Sequence, residues 1–340
     1  MKGWQEMNKV CKTISIVAAC VLGLGLLLAG IGYVFGGANS VILEKTGFRV
    51  IDSTDKDEVD IVNETYTDVE NIVVNVSYFS KIILREGDSF SVKGSNPKIQ
   101  GGLESSLNAG TLSVSDSKKG SKFVMNLGFT NLFGIGPYSG YKQEALEITF
   151  PKGASLGKVE IISNMGDVEI SDLKADRLEA NLDLGDSSID DVTCDTAIID
   201  SDSGKVTIKN MECKSIDVIL DLGACIINGL KTDEARIESD SGKVDITDIE
   251  SNGTELSLSL GDLSVKGKLL GNSIIEMDSG SVMLDLRQSR DDTSYSIETD
   301  LGSVNINGNK STGSVENRIP GAKNNLNINS DLGDVKVSFN

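Results

Sequence analysis

A glycine recurs every 19 residues, at Gly166, Gly185, Gly204, Gly223, Gly242, Gly261 and Gly280, and the series continues at Gly302 and Gly333 after gaps of 22 and 31. Each lies in one short phrase, as in Asp183-Leu-Gly-Asp, Asp202-Ser-Gly-Lys and Asp221-Leu-Gly-Ala. Apolar residues alternate on both sides, as in Val168 and Ile170, Val206 and Ile208, and Val244 and Ile246, which is the period of a strand with one buried face. A unit of 19 residues holding two short strands and two turns cannot bury that face alone and must stack on copies of itself. The sequence therefore predicts an all-β chain, a parallel β-solenoid (β-helix) of 19-residue units.

A second period lies inside the first. The positions three and one before the glycine, both expected to point inward, read Leu182 and Leu184, Ser201 and Ser203, Leu220 and Leu222, then Ser239 and Ser241. Large and small alternate from unit to unit, as a thin core needs for close packing. Either each coil is 19 residues with Leu layers over Ser layers, or each coil is 38 residues with a Leu face opposite a Ser face. The tendency of β-stacks to place like on like favours 38. Cys194 and Cys213 discriminate: 19-residue coils stack them at about 4.8 Å, within reach of a disulfide, and 38-residue coils place them on opposite sides. With Cys11, Cys20 and Cys225 they make no dense disulfide framework, and small buried hydrophobes are the simpler reading.

The N-terminus speaks to location. Ile14 to Phe35 is a run of 22 almost wholly apolar residues without charge, preceded by Lys2, Lys9 and Lys12. It is long enough to cross a bilayer as a helix, and the flanking lysines keep the N-terminus in the cytoplasm. A cleaved signal peptide has a shorter apolar region. The expected organisation is a cytoplasmic segment 1–12, a transmembrane helix 13–36, an acidic juxtamembrane stalk 37–67 and an exported solenoid 68–340. Within the solenoid, 68–145 supplies opening strands and a cap, and 146–340 carries the glycine repeat. A net charge of −19 from 51 acidic and 32 basic residues suits an exported soluble domain and argues against nucleic acid or bare anionic lipid as partner.

From about Val69 the chain reads as strands, with Ile72, Val74 and Val76 alternating and turn signals at Glu86-Gly-Asp-Ser and Asn108-Ala-Gly. Asn309 to Asn325, rich in Gly, Asn and Ser, reads as a loop folded over the last coils. Leu146-Glu-Ile-Thr-Phe-Pro-Lys-Gly, leading through Gly157-Lys-Val-Glu-Ile to Met165-Gly-Asp-Val-Glu-Ile, resembles the bacterial family called "putative adhesin", over roughly residues 65 to 340. The resemblance implies a cell-surface domain of unknown function with a β-solenoid or toast-rack-like fold and a link to envelope-stress systems.

The aspartate two before the glycine recurs as Asp183, Asp202, Asp221, Asp240, Asp278, Asp300 and Asp331, with Asn164 and Ser259 in the other two units. Its expected role is an Asx turn in which the carboxylate accepts backbone N–H groups; a column of carboxylates collecting Ca²⁺ is the alternative. Catalysis finds little support. The chain has no histidine, and the paired acids Asp190-Asp191 and Asp291-Asp292 read as solvated turns. An aromatic insertion, 123–141, gathers Phe123, Phe129, Phe133, Tyr138 and Tyr141 and is either a lid on the first coil or a partner-binding surface. Without cofactor or enzyme signature, the chain is expected to be a non-catalytic binding or scaffolding module at the bacterial surface. Its partner would be an envelope polymer or a membrane protein. An envelope-stress accessory is the first alternative and a carbohydrate-active β-helix the second.

Overall fold

A computed structural model describes residues 21, 23–25, 40–44, 47–51, 59–77, 79–97, 102–116, 123–125 and 145–339. It contains two compact units. In the smaller, Ser40–Glu44 pairs antiparallel with Gly47–Ile51 on one side and Phe123–Met125 on the other. Of the apolar run Ile14 to Phe35, only Val21 and Gly23–Gly25 are described, and they are helical. Among the described residues no helix is long and apolar enough to cross a membrane. The remainder of the insertion, with Phe129, Phe133, Tyr138 and Tyr141, lies outside the described residues, as do Cys11 and Cys20.

The larger unit is a stack of parallel coils. Leu182 pairs with Ser201, Ser239 with Leu258 and Leu258 with Met277, each one repeat on. The coil is thus 19 residues, and the expectation of a 38-residue coil is corrected. Alternation runs along the stack, so from Leu182 through Ser201, Leu220 and Ser239 to Leu258 large lies over small, until Met277 follows Leu258; this fills the core as closely as opposed faces would. Within one coil Val206, Ile208, Met211, Cys213, Ile216, Val218 and Leu220 all point inward and are buried. Each such Val, Ile or Leu contributes on the order of 1.5–3 kcal/mol.

Three corners close each coil: at the glycine, six residues after it, and ten residues after it, where Asp176, Asp233 and Asn252 drop out of the ladder. At the glycine corner, only the residue three before the glycine is inward. The residue one before it, expected inward, is exposed: Leu184, Leu222 and Leu260 show 51%, 57% and 55% of their surface. Strand alternation stops at the corner, so two successive side chains face outward there. The second corner lies six residues after the glycine, where Asp172, Asp191, Asn210, Gly229 and Asp248 all take positive φ. These are the residue types that tolerate the left-handed region.

Both ends of the stack are closed by out-of-order strands. Asn324–Leu332 is inserted between Leu263–Ser279 and Thr293–Leu301, and Val335–Phe339 between Val282–Leu286 and Ser303–Ile306. The last strands of the chain therefore lie one layer in from the edge. Asn309–Thr312 and Val315–Asn317, in the segment expected to be an irregular loop, run antiparallel along the outermost coil. At the other end Asn71–Val76 lies between Thr111–Ser115 and Leu156–Ser163, and Lys81–Gly87 between Leu146–Pro151 and Asp167–Ser171. Phe90–Pro97 and Glu104–Asn108 are its antiparallel covers. The two ends follow one plan read in opposite chain directions, and each covers a parallel edge that would otherwise template association. The acidic segment expected to be a solvated stalk also contributes: Val59–Tyr66 is a strand paired with Phe90–Pro97, with Val62 buried.

Candidate functional site: the glycine corner

The recurring phrase builds one continuous corner along the stack. Gly223 has φ 144°, and a Cβ there would lie 1.8 Å from the carbonyl oxygen of Gly204. Close approach of stacked backbone therefore requires glycine in addition to the positive φ. At Gly302 the φ requirement is absent, yet a Cβ would still lie 1.9 Å from the Gly333 oxygen.

The aspartates divide into two columns with different work. The Asx-turn expectation for Asp183, Asp202, Asp221, Asp240, Asp278, Asp300 and Asp331 is corrected: they are exposed, and among the described residues their carboxylates accept no hydrogen bond. The residue one after the glycine does the bonding, and it bonds between coils. The Asp167 carboxylate accepts the Asp186 N–H at 3.0 Å, Asp186 accepts the Lys205 N–H at 2.9 Å, and Asp262 accepts the Ser281 N–H at 3.0 Å. Asp334 accepts both the N–H and the hydroxyl of Ser303 at 2.8 Å. The serine hydroxyl, then the backbone N–H, hold Asp262 and Asp334 below the usual aspartate range.

The unbonded column leaves a field of like charge. Asp200 is raised, first by burial and then by Asp202, Asp221, Asp217 and Asp183. Among the described residues no group of three or more acidic, cysteine or histidine side chains converges as a metal site would need. Of the paired acids, Asp191 holds φ 52° at the second corner while Asp190 is a half-buried strand residue paired with Ser171, and Asp291 and Asp292 lie exposed in a short 3-10 turn.

Beside the aspartates runs an apolar ridge that sequence reasoning placed in the core. Its order along the stack is Met165, Leu184, Ser203, Leu222, Ser241, Leu260, Ser279, Leu332 and Leu301. Among the described residues every exposed leucine of the larger unit stands in this one column. Leu184, Leu222, Leu260 and Leu332 recur at every second coil, about 9–10 Å apart. The out-of-order insertion of the last strands puts Leu332, rather than Leu301, in that rhythm. Just past the third corner a shallow open groove crosses Thr196, Ser215, Glu234, Gly253 and Asn272. Its one arginine, Arg236, is already engaged by Asp217 and Glu238, and no aromatic ring lines it.

The sequence profile of a family described as Toastrack DUF4097 matches residues 69–338. No curated protein matches the chain. Solved structures that it resembles include a putative adhesin from Bacteroides fragilis NCTC 9343, with 13% identity and a TM-score of 0.42, covering 82% of this chain and 97% of that one. A putative cell adhesion protein from Clostridium sporogenes ATCC 15579 has 13% identity and a TM-score of 0.21, covering 84% and 100%. A putative adhesin from Parabacteroides distasonis ATCC 8503 has 11% identity and a TM-score of 0.36, covering 82% and 98%.

Proposed function

The chain belongs to the Toastrack DUF4097 family, and on that premise we propose that it is a non-catalytic binding module of the bacterial cell surface, anchored through residues 13–36, whose contact surface is the leucine ridge. The observation that carries this is that, among the described residues, every exposed leucine of the larger unit falls in one line. Ile61, Ile226, Ile274 and Met283 are exposed elsewhere on the larger unit, but the leucines fall into one line, and an alignment of that kind marks an interaction surface.

The neighbouring charge narrows the partner. The ridge is flanked by aspartates without hydrogen-bond partners on a chain of net charge −19, which opposes a second copy of itself and an anionic bilayer alike. A protein segment presenting apolar residues flanked by Lys or Arg complements both columns. A basic amphipathic helix fits the spacing, because residues seven apart rise about 10.5 Å, close to the two-coil step of the leucines. A membrane protein partner of this kind suits the expected anchor.

The test is calorimetric titration of the full-length chain in mild detergent with an amphipathic Leu/Lys helical peptide and with a peptide of equal charge lacking leucine. The ridge reading predicts tight binding of the first only, weakened at least tenfold in Leu184→Ser/Leu222→Ser/Leu260→Ser. Equal binding of both peptides, unchanged in the triple variant, would reduce the interaction to bulk charge and sink the ridge as a site.

A further inference from the structure

Nine residues after the glycine, on the inward side just before the chain leaves the second strand, one column reads Ala175, Cys194, Cys213, Thr232 and Ser251 through five successive coils. The register is direct: Ala175 pairs with Cys194, and Thr232 with Ser251. Cys213 donates from its Sγ to the Thr232 Oγ1 at 3.6 Å, one repeat further on. Cys194 and Cys213 occupy adjacent layers of this column as free thiols, both buried. Adjacent layers bring the two Cα atoms to about 4.8 Å, inside the span a disulfide bridges. Cys225, the third thiol of the stack, is alone: it lies on a different column, paired with Val244.

We propose that Cys194 and Cys213 form a disulfide that staples two neighbouring coils at mid-stack when the chain meets an external disulfide in an oxidising compartment. One of the two, taken as Cys213, attacks first as its thiolate, and the reverse order gives the same products. The Cys213 sulfur attacks one sulfur of the external disulfide, whose S–S bond breaks and releases a thiolate that takes up the proton lost by Cys213. Cys194 then attacks the mixed disulfide, the inter-coil S–S bond forms, and the second external thiolate leaves with the Cys194 proton. Two protein thiols are oxidised and one external disulfide is reduced to two thiols. Because both sulfurs are buried, exchange proceeds while the coils are apart, during folding or local opening.

The same column shows how the pair can be altered without harming the stack. Thr232 and Ser251 hold the equivalent place two coils on, so serine is compatible with the packing at 194 and 213. Trypsin separates the three thiols, since Lys205 and Lys209 lie between Cys194 and Cys213, and Lys214 between Cys213 and Cys225.

The experiment incubates the reduced full-length chain in mild detergent with a mixture of reduced and oxidised glutathione, both native and while refolding from urea. Free thiols are then blocked by alkylation in denaturant and the tryptic peptides are weighed. The expected product is a peptide pair joined through Cys194 and Cys213, with Cys225 alkylated and the melting temperature raised relative to reduced protein. Cys194→Ser should abolish both the joined pair and the melting shift while the reduced variant melts like the reduced parent. Recovery of Cys194 and Cys213 as separately alkylated or glutathionylated peptides from the folded chain under both regimes would overturn the proposal. So would pairing of either with Cys225.

Discussion

At the scale of single residues, the corner separates requirements that the repeat phrase merges. Gly223→Ala forces a Cβ against the Gly204 carbonyl as well as an unfavourable φ, and should cost on the order of 3 kcal/mol or more in urea unfolding. Gly153→Ala, at φ 73° with no atom within 4 Å, should cost only about 1 kcal/mol. The aspartates divide by pH in opposite directions. Asp262 and Asp334 are depressed in the fold, so they stabilise it above the unfolded aspartate value of about 4 and lose that contribution as pH falls through their folded values. Asp262→Asn and Asp334→Asn should therefore flatten the acid limb of a melting-temperature profile. Asp200 is raised, so its contribution is full below about pH 4 and is lost as pH rises through its folded value. Asp200→Asn should stabilise slightly at pH 7, with the difference vanishing in acid. The glycine period was legible because one residue type alone satisfies the corner. The bonding aspartate was hidden because the residue after the glycine varies among Asp, Lys, Ala and Ser, while the conspicuous Asp two before it makes no bond. The second corner did carry a signal, in Asp172, Asp191, Asn210, Gly229 and Asp248, once those positions are aligned on the glycines.

At the scale of elements, strand type and alternation followed from composition, but which strands are neighbours at the ends did not. Local pattern cannot reveal that Asn324–Leu332 slips between two coils formed earlier in the chain, since its alternation would suit an edge or an interior layer equally. The same limit applied to coil length, because an alternation of Leu and Ser is identical in sequence whether it runs along the stack or across it. The inserted ends have an energetic consequence. Asn324–Leu332 and Val335–Phe339 are paired on both sides, and Leu326, Ile328, Val335 and Val337 are buried. Amides of these final strands should resist hydrogen exchange as well as those of the central coils, whereas a terminus that frays would exchange orders of magnitude faster. Ending the chain at residue 323 should prevent cooperative folding, because it removes the layer between the outermost coil and the rest; a truncated chain that melts like the parent would contradict this topology.

At the scale of the whole molecule, the larger unit is a stack whose outward charges are tied between layers by pairs such as Lys214–Asp195 and Lys231–Glu212. Exposed pairs of this kind contribute little individually and serve to keep the surface soluble. One edge carries a line of exposed leucines beside aspartates that, among the described residues, accept no hydrogen bond. The sequence located both columns, yet it assigned the leucines to the core, because period-2 alternation was carried one residue too far around the corner. The role of the ridge is tested by saturation binding of the full-length chain, in mild detergent, to isolated envelope fractions: peptidoglycan, wall polymers, lipid vesicles and vesicles carrying membrane proteins. Leu184→Ser/Leu222→Ser/Leu260→Ser is measured alongside, with folding checked by melting. The expected result is saturable binding to the protein-bearing vesicles, lost in the triple variant while its melting temperature is unchanged. Binding that survives in the triple variant, or no binding to any fraction, would contradict it.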